Sequence, residues 1–366
     1  MDYRPALRER TGVGEYVHEL AAALGRRLPE GDTLTLFSSS WKDRLASVPV
    51  PHARVVDARV PVRALNLAWH RLRWPAVETI AGAVDVAHSP SPLMIPTRKA
   101  ARVVTVHDLD FLDHPERTRA EIRRDYARLA PVHARTAEAV LAVSEFTAGE
   151  VVRRLGVSRD RITICSPGAP KWTQRSKPRP DGPILFMGTL EPRKNVGVLL
   201  RAYARLIARM PSPPALVLAG PATDAAAQWL KEISEPPLAG HVQHLGYVRP
   251  ERRYELYCDA SMLVLPSHLE GFGLPVLEAM TVGVPVIVSR RGALPEVAGD
   301  AGVLIEPDDD VGLAAAMQRY LDDPSAAAAA SARGIARARQ YSWDASAAAL
   351  YGAYSDAVSR RRAIAV

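Results

Sequence analysis

Cysteine is scarce in this chain: Cys165 and Cys258 are the only two in 366 residues, and they stand far apart. That argues against a disulfide framework and against a thiolate zinc site. No stretch approaches the ~18 consecutive apolar residues that a membrane-spanning helix needs. Residues 1–7 have neither the apolar core nor the cleavage site of a signal peptide, so a cytoplasmic protein is expected. Gly-x-x-x-x-Gly-Lys-Ser/Thr is missing, which disfavours an ordinary nucleoside triphosphatase, and so is the Gly-x-Ser-x-Gly elbow of serine hydrolases. The chain is basic, with a net charge of +7 and a pI near 9.5. It nevertheless lacks the aromatic-interleaved basic sheet or recognition helix of a nucleic-acid binder.

What remains is an ordinary globular composition, 48% hydrophobic and 24% charged, long enough for two α/β domains. Short apolar, β-branched runs alternate with helical patterns, the mark of parallel βαβ units. Strands are expected at 33–37, 84–88, 102–107, 139–143 and 162–165. A second set is expected at 184–187, 215–219, 242–245, 262–265, 284–288 and 302–305. Their near-continuous apolarity implies helices on both faces. The Pro- and Gly-rich stretch 166–183 separates the two sets. The reading is α/β: two Rossmann-like, doubly wound domains facing a cleft. The first spans 1–170, 171–182 forms the linker, and 183–342 forms the second. A C-terminal helix, 343–366, crosses back. The helical pattern begins near Gly12, so Met1-Asp2-Tyr3 reads as the tail of a truncated first strand. Near the other end, Ser325 is expected to cap an alanine-rich helix over 326–340.

One segment is unusually basic. Arg54, Arg59, Arg63, Arg71 and Arg73, with His52 and His70, oppose only Asp57, and Trp69 and Trp74 lie among them. Arginine mixed with tryptophan suits an anionic bilayer surface. The plainer alternative is a loop whose tryptophans pack beneath the domain.

Three glycine-bearing turns precede helices, where free amides favour an anion. Gly12 and Gly14 precede a helix carrying Val17, Leu20, Leu24 and Leu28. Gly188 ends a buried strand and leads to Arg193 and Lys194, two adjacent cations suited to a diphosphate at the carboxyl end of a parallel strand. Asn195 is the expected cap of the helix that follows. The third turn runs from Glu270 through Gly271, Phe272, Gly273 and Leu274 to Pro275 and Glu278. Its glycines suit phosphate and sugar, and its two carboxylates suit vicinal hydroxyls. His107 ends another strand, within reach of a donor hydroxyl or phosphate. Asp108 and Asp110 have a spacing that can hold a divalent cation, but so short a pair carries little weight, and no metal is assigned. Asp308, Asp309 and Asp310 read as a solvated helix start.

These residues, in this order, resemble glycosyltransferase family 4. The likeness rests on Arg10-Thr-Gly-Val-Gly-Glu-Tyr16, Thr105-Val-His-Asp108, Ala142-Val-Ser-Glu-Phe-Thr147, Gly188 with Glu191-Pro-Arg-Lys-Asn195, and Glu270 paired with Glu278. The resemblance implies a GT-B fold and metal-independent transfer with retention of anomeric configuration, so no cofactor is expected. It implies that Arg193 and Lys194 hold the donor diphosphate, with Gly188, Gly12 and Gly14 nearby. Glu270 and His107 would meet the transferred sugar, the amides of Phe272, Gly273 and Leu274 would hold sugar and phosphate, and Glu278 would take the ribose. The style of the motifs tilts the donor toward GDP-mannose, with a UDP-sugar as the other option. The acceptor is expected to be a glycan or a lipid-linked molecule, met at the inner face of a membrane. The competing readings are a GT-B epimerase or phosphorylase, and a non-catalytic nucleotide-sugar binder.

Overall fold

The structure is a computed structural model that describes residues 1–7, 10, 12–39, 45, 50–117 and 120–365. It divides into two compact units, Met1–Gly168 with Ser342–Val366, and Ala169–Tyr341.

In the first unit, β1 (Leu34–Ser38) pairs in parallel with β2 (Ala53–Asp57). A four-stranded parallel sheet follows, in the order β3 (Val86–Ser89), β4 (Ala101–Val106), β5 (Ala139–Ala142) and β6 (Ile162–Ile164). Every residue of β5 is buried, as expected of a strand covered on both faces. Residues 1–3 lie between the two sheets. Asp2 bridges Phe37 in parallel, and its N–H donates to the His88 carbonyl at 3.0 Å. The C-terminal helix Trp343–Ala365 lies against β4, β5 and the helix Gly12–Arg27. Sequence reading missed β2 and the helix Val62–Arg71, because arginines interrupt both patterns and the segment reads as a loop.

In the second unit, all six strands are parallel. They are β7 (Ile184–Met187), β8 (Leu216–Ala219), β9 (Val242–Gly246), β10 (Met262–Leu265), β11 (Val286–Ser289) and β12 (Val303–Ile305). Their order is β12-β11-β10-β7-β8-β9. The order reverses between β7 and β10, and ligands bind open α/β sheets at the carboxyl side of such a switch point. The loops leaving β7 and β10 carry Gly188 to Asn195 and Glu270 to Gly273.

Two capping expectations need correction. Asn195 lies in the left-handed region (φ 56°) and makes no cap bond; its amide donates instead to the carbonyls of Pro266, at 3.2 Å, and Pro307, at 2.7 Å. It therefore ties the β10 loop to the β12 loop. The alanine-rich helix begins at Pro324, one residue before Ser325, and Asp323 caps it by accepting from the N–H groups of Ser325 and Ala326. A proline at the first helical position moves the cap back to the residue before it.

Candidate active site

Within the second unit, the β7 and β10 loops bring three of the expected residues together. The ammonium of Lys194 lies 2.5 Å from one oxygen of Glu270, and the guanidinium of Arg193 lies 3.2 Å from the other. Arg193 also donates to the Leu269 carbonyl at 2.9 Å and pairs with Glu191 at 2.8 Å. Ser267 donates to Glu270 at 2.7 Å. Burial alone would push the Glu270 carboxyl up, but Lys194 and Arg193, with the hydrogen bonds of Lys194 and Ser267, outweigh it and hold the group at about 2. The site thus carries two cations, Lys194 and Arg193, balanced by the carboxylates of Glu270 and Glu191 in poorly solvated surroundings.

Glycine makes this geometry possible in two places. Gly188 and Gly220 end adjacent strands at φ 155° and 145°, and a Cβ on Gly220 would fall 2.0 Å from the Gly188 carbonyl oxygen. Gly292, at φ 60°, lies so close to the Glu270 backbone that a Cβ would come within 2.4 Å of its carbonyl. The same carbonyl accepts the Ala293 N–H at 2.8 Å, fixing the Glu270 loop against the start of the next helix. Sequence reading singled out neither Gly220 nor Gly292, because neither belongs to a glycine cluster.

The helix Leu274–Val282 starts after Gly273, and its first N–H groups face out of its N-terminus. Phe272 is buried and meets Tyr341 edge-on, with centroids 5.5 Å apart. Glu278 lies in the second turn of that helix. It is 4% exposed and held on both oxygens, by Tyr257 at 2.8 Å and Arg253 at 3.0 Å. Burial and then the Glu278 charge push the Tyr257 phenol well above its usual range, so it stays a donor. Tyr257 and Arg253 were missed. They lie on the helix Pro250–Asp259, which has no glycine or motif to mark it.

The remaining expected residues belong to the first unit. Gly12 and Gly14 form the first turn of the helix Gly12–Arg27 rather than a turn before it, and Thr11 of the same motif lies outside the described residues. Gly14 has a packing reason: a Cβ there would meet the Pro5 carbonyl at 2.6 Å. Two motifs converge on His107, whose ring meets Tyr16 edge-on at 5.1 Å. Tyr16 is itself fixed by donating to the Cys165 carbonyl at 2.9 Å. His107 Nε2 lies 3.3 Å from the Pro90 carbonyl. A carbonyl only accepts, so this contact selects the Nε2–H tautomer and leaves Nδ1 as an acceptor. Burial lowers the His107 pKa to about 4, so the ring is neutral at neutral pH.

Asp108 accepts the Asp110 N–H at 3.2 Å, a local turn contact. Among the described residues, no three His, Cys, Asp or Glu side chains lie close enough to hold a metal ion, and no helix is long and apolar enough to cross a membrane. Part of the basic segment is structural. Trp69 is buried and donates to the Pro75 carbonyl, while Arg54 and Arg73 donate to the carbonyls of Ala81 and Met94. Leu67, Leu72 and Trp74 are exposed, at 49%, 71% and 63%.

Known proteins match both units. Residues 10–170 match the model described as Glycosyltransferase Family 4, and residues 171–337 match Glycosyl transferases group 1. The O-antigen chain mannosyltransferase B of Escherichia coli is 32% identical over 359 residues, covering 91% of this chain and 93% of that protein. A D-inositol 3-phosphate glycosyltransferase of Rhodococcus opacus is 30% identical over 223 residues, 56% of this chain and half (50%) of its own length. Sucrose-phosphate synthase from Thermosynechococcus elongatus has a similar fold, with a TM-score of 0.77 at 22% identity, covering 97% of each chain. So does HepE of Anabaena, solved with UDP and glucose, with a TM-score of 0.70 at 19% identity over 95% of this chain and 97% of that one. The chain belongs to the glycosyltransferases of the family 4 type and has the GT-B fold.

Proposed function

We propose that this glycosyltransferase moves a hexose, with mannose from GDP-mannose favoured over a UDP-sugar, onto a glycan or lipid-linked acceptor with retention of configuration. The observation that carries the reading is the convergence of Lys194 and Arg193 on the buried Glu270 at the switch point of the second sheet. A diphosphate entering there meets two positioned cations and the N-terminus of the helix Leu274–Val282. The 32% identity to a mannosyltransferase supports the donor, and the word O-antigen in that relative's name supports a polysaccharide-assembly acceptor.

In this mechanism the bond from the sugar's anomeric carbon to the β-phosphate oxygen breaks. The acceptor oxygen bonds to the same face of that carbon, and its proton passes to the departing phosphate. Arg193 and Lys194 stabilise the charge that grows on the diphosphate, the largest contribution expected of a preorganised site. Glu278, held by Tyr257 and Arg253, presents its carboxylate to the ribose. Neutral His107, with Nδ1 as acceptor, takes a sugar hydroxyl, and Glu270 takes another while steering both cations. No metal is assigned a part.

The exposed Leu67, Leu72 and Trp74 lie beside exposed Arg63 and Arg71 on and just after one helix. This favours peripheral contact with an anionic bilayer at the inner face of the membrane. Thermal-shift titration against GDP, UDP, ADP and their mannose and glucose conjugates tests the donor, since a bound ligand raises the melting point. GDP-mannose should give the largest shift and be consumed only when an acceptor extract is added. Isomerisation of the donor alone would replace this reading with an epimerase.

A further inference from the structure

The chain enters the second unit at Ala169, and residues 169–183 form neither helix nor strand. The stretch is nevertheless fastened down. The Trp172 ring lies against Tyr254 and Tyr257, with centroids 5.6 and 5.8 Å apart and planes tilted by 55° and 43°. The Tyr254 hydroxyl donates to the Thr173 carbonyl at 3.1 Å. Arg175 donates its backbone N–H to the Val282 carbonyl at 3.1 Å and its guanidinium to the Ala260 carbonyl at 2.6 Å.

These anchors select two helices. Tyr254 and Tyr257, three residues apart, share one face of the helix Pro250–Asp259, and Ala260 follows its end. Val282 ends the helix Leu274–Val282. They are the two helices whose side chains meet at Glu278: Arg253 and Tyr257 come from the first, the carboxylate from the second. Backbone bonds at the helix ends would be enough to tether a loop. The indole goes further, onto the tyrosine that donates to Glu278. Tyr257 is fully buried and Trp172 half-buried, so the indole forms the outer layer over that phenol ring. Packing that fixes an aromatic ring also fixes where its hydroxyl points.

We propose that Trp172 is a positioning residue for the donor: by clamping the Tyr257 ring it sets the direction of the hydroxyl that holds Glu278, and so aims that carboxylate at the ribose. This rests on the reading of Glu278 as the ribose group. Trp172 takes no part in the chemistry and acts only through Tyr257. Thr173 and Arg175 keep the indole in register with both helices. A ring is required rather than mere bulk, because both tyrosines are met at the tilted geometry of aromatic pairs.

Calorimetry on the full chain tests this with GDP and UDP, each beside its 2′,3′-dideoxy form, which lacks both ribose hydroxyls. For the nucleotide that binds, Trp172→Ala should weaken affinity by about three- to fivefold and leave the dideoxy form unchanged. The donor KM should rise while kcat holds, since the ribose bond is made in the ground state and the transition state alike. Trp172→Phe, which keeps a ring on both tyrosines, should restore affinity to within about twofold, and Trp172→Leu should not. Trp172→Leu also carries the comparison should the alanine variant fold poorly. In a Glu278→Ala background, replacing Trp172 should cost nothing more, because the two act in series. Equal weakening of the normal and dideoxy nucleotides would mean that Trp172 only supports the fold, and the proposal would be overturned. Unchanged affinity in the alanine and leucine variants, with Glu278→Ala weakened, would overturn it as well. If Glu278→Ala leaves nucleotide affinity intact, or neither nucleotide binds, the ribose reading itself falls and the proposal with it.

Discussion

The positions of Lys194 and Arg193 were legible because adjacent cations after a strand-ending glycine are a local pattern. Their pairing with Glu270, 76 residues away, depends on β7 and β10 being neighbours, which no local pattern records. Replacing either cation by alanine should lower kcat/KM by roughly 10²–10³-fold, since the charge it stabilises develops in the transition state. Steady-state kinetics that left donor turnover unchanged would remove the diphosphate from this site. Tyr257 behaves differently, since it holds one oxygen of Glu278 and is buried. Tyr257→Phe should cost about 1 kcal/mol of stability. It should also weaken donor binding several-fold while kcat holds, and Glu278→Ala should weaken it further. A fall in kcat with normal donor affinity in calorimetry would contradict a ribose role. Sequence reading found Glu278 and missed its partners, because an arginine and a tyrosine four residues apart on a polar helix look like a solvated face until the fold turns that face inward.

Among the elements, the strands were the most readable, since continuous apolarity survives any tertiary context, and their ends shifted by only a residue or two. Helix entrances were less readable. Asn195 is a good capping residue by type, yet it bridges the carbonyls of Pro266 and Pro307, because the left-handed backbone there points its amide across two loops. Asn195→Ala should therefore loosen the β10 loop more than the helix Val196–Arg209. Exchange should rise in 266–273, with less change in 196–209, and the reverse order would restore a capping role. The ends of β7 and β8 make a sharper case. Gly220→Ala forces a Cβ into the Gly188 carbonyl and a side chain into a positive-φ backbone, so a loss of roughly 2–4 kcal/mol is expected. The melting point should drop with it. An unchanged melting point would mean that the two strand ends lie further apart than this contact allows.

At the scale of the whole molecule, depressed carboxylates occur in both units, Asp125 of the first and Glu270 of the second each at about 2, while the first unit adds a set of bases buried against protonation. In the first unit, burial lowers His18, His107 and His133 to about 4, and the Met1 amine to about 6. Each of these groups takes up a proton more readily when unfolded. Stability is therefore lost as pH falls from the unfolded value, 6.5 for histidine and 8.0 for the amine, to the folded one. The fall from 6.5 to about 4 corresponds to at most roughly 3.5 kcal/mol for each histidine, less where water reaches the ring. In the second unit Glu270 is depressed from 4.5 to about 2, so its contribution is complete above pH 4.5 and lost only below it. Lowering the pH from 7 to 5 should thus open amides in β3 and β4 before those of β7 and β10. A second loss should follow between pH 4.5 and 2, and Glu270→Gln should flatten it in the second unit. Exchange read segment by segment at pH 7, 5 and 3 checks the order, and loss in both units between pH 7 and 5 would refute it. If the order holds, the second unit keeps its charged cluster in mild acid while the unit carrying His107 loosens, so activity at pH 5 should fall before diphosphate binding weakens.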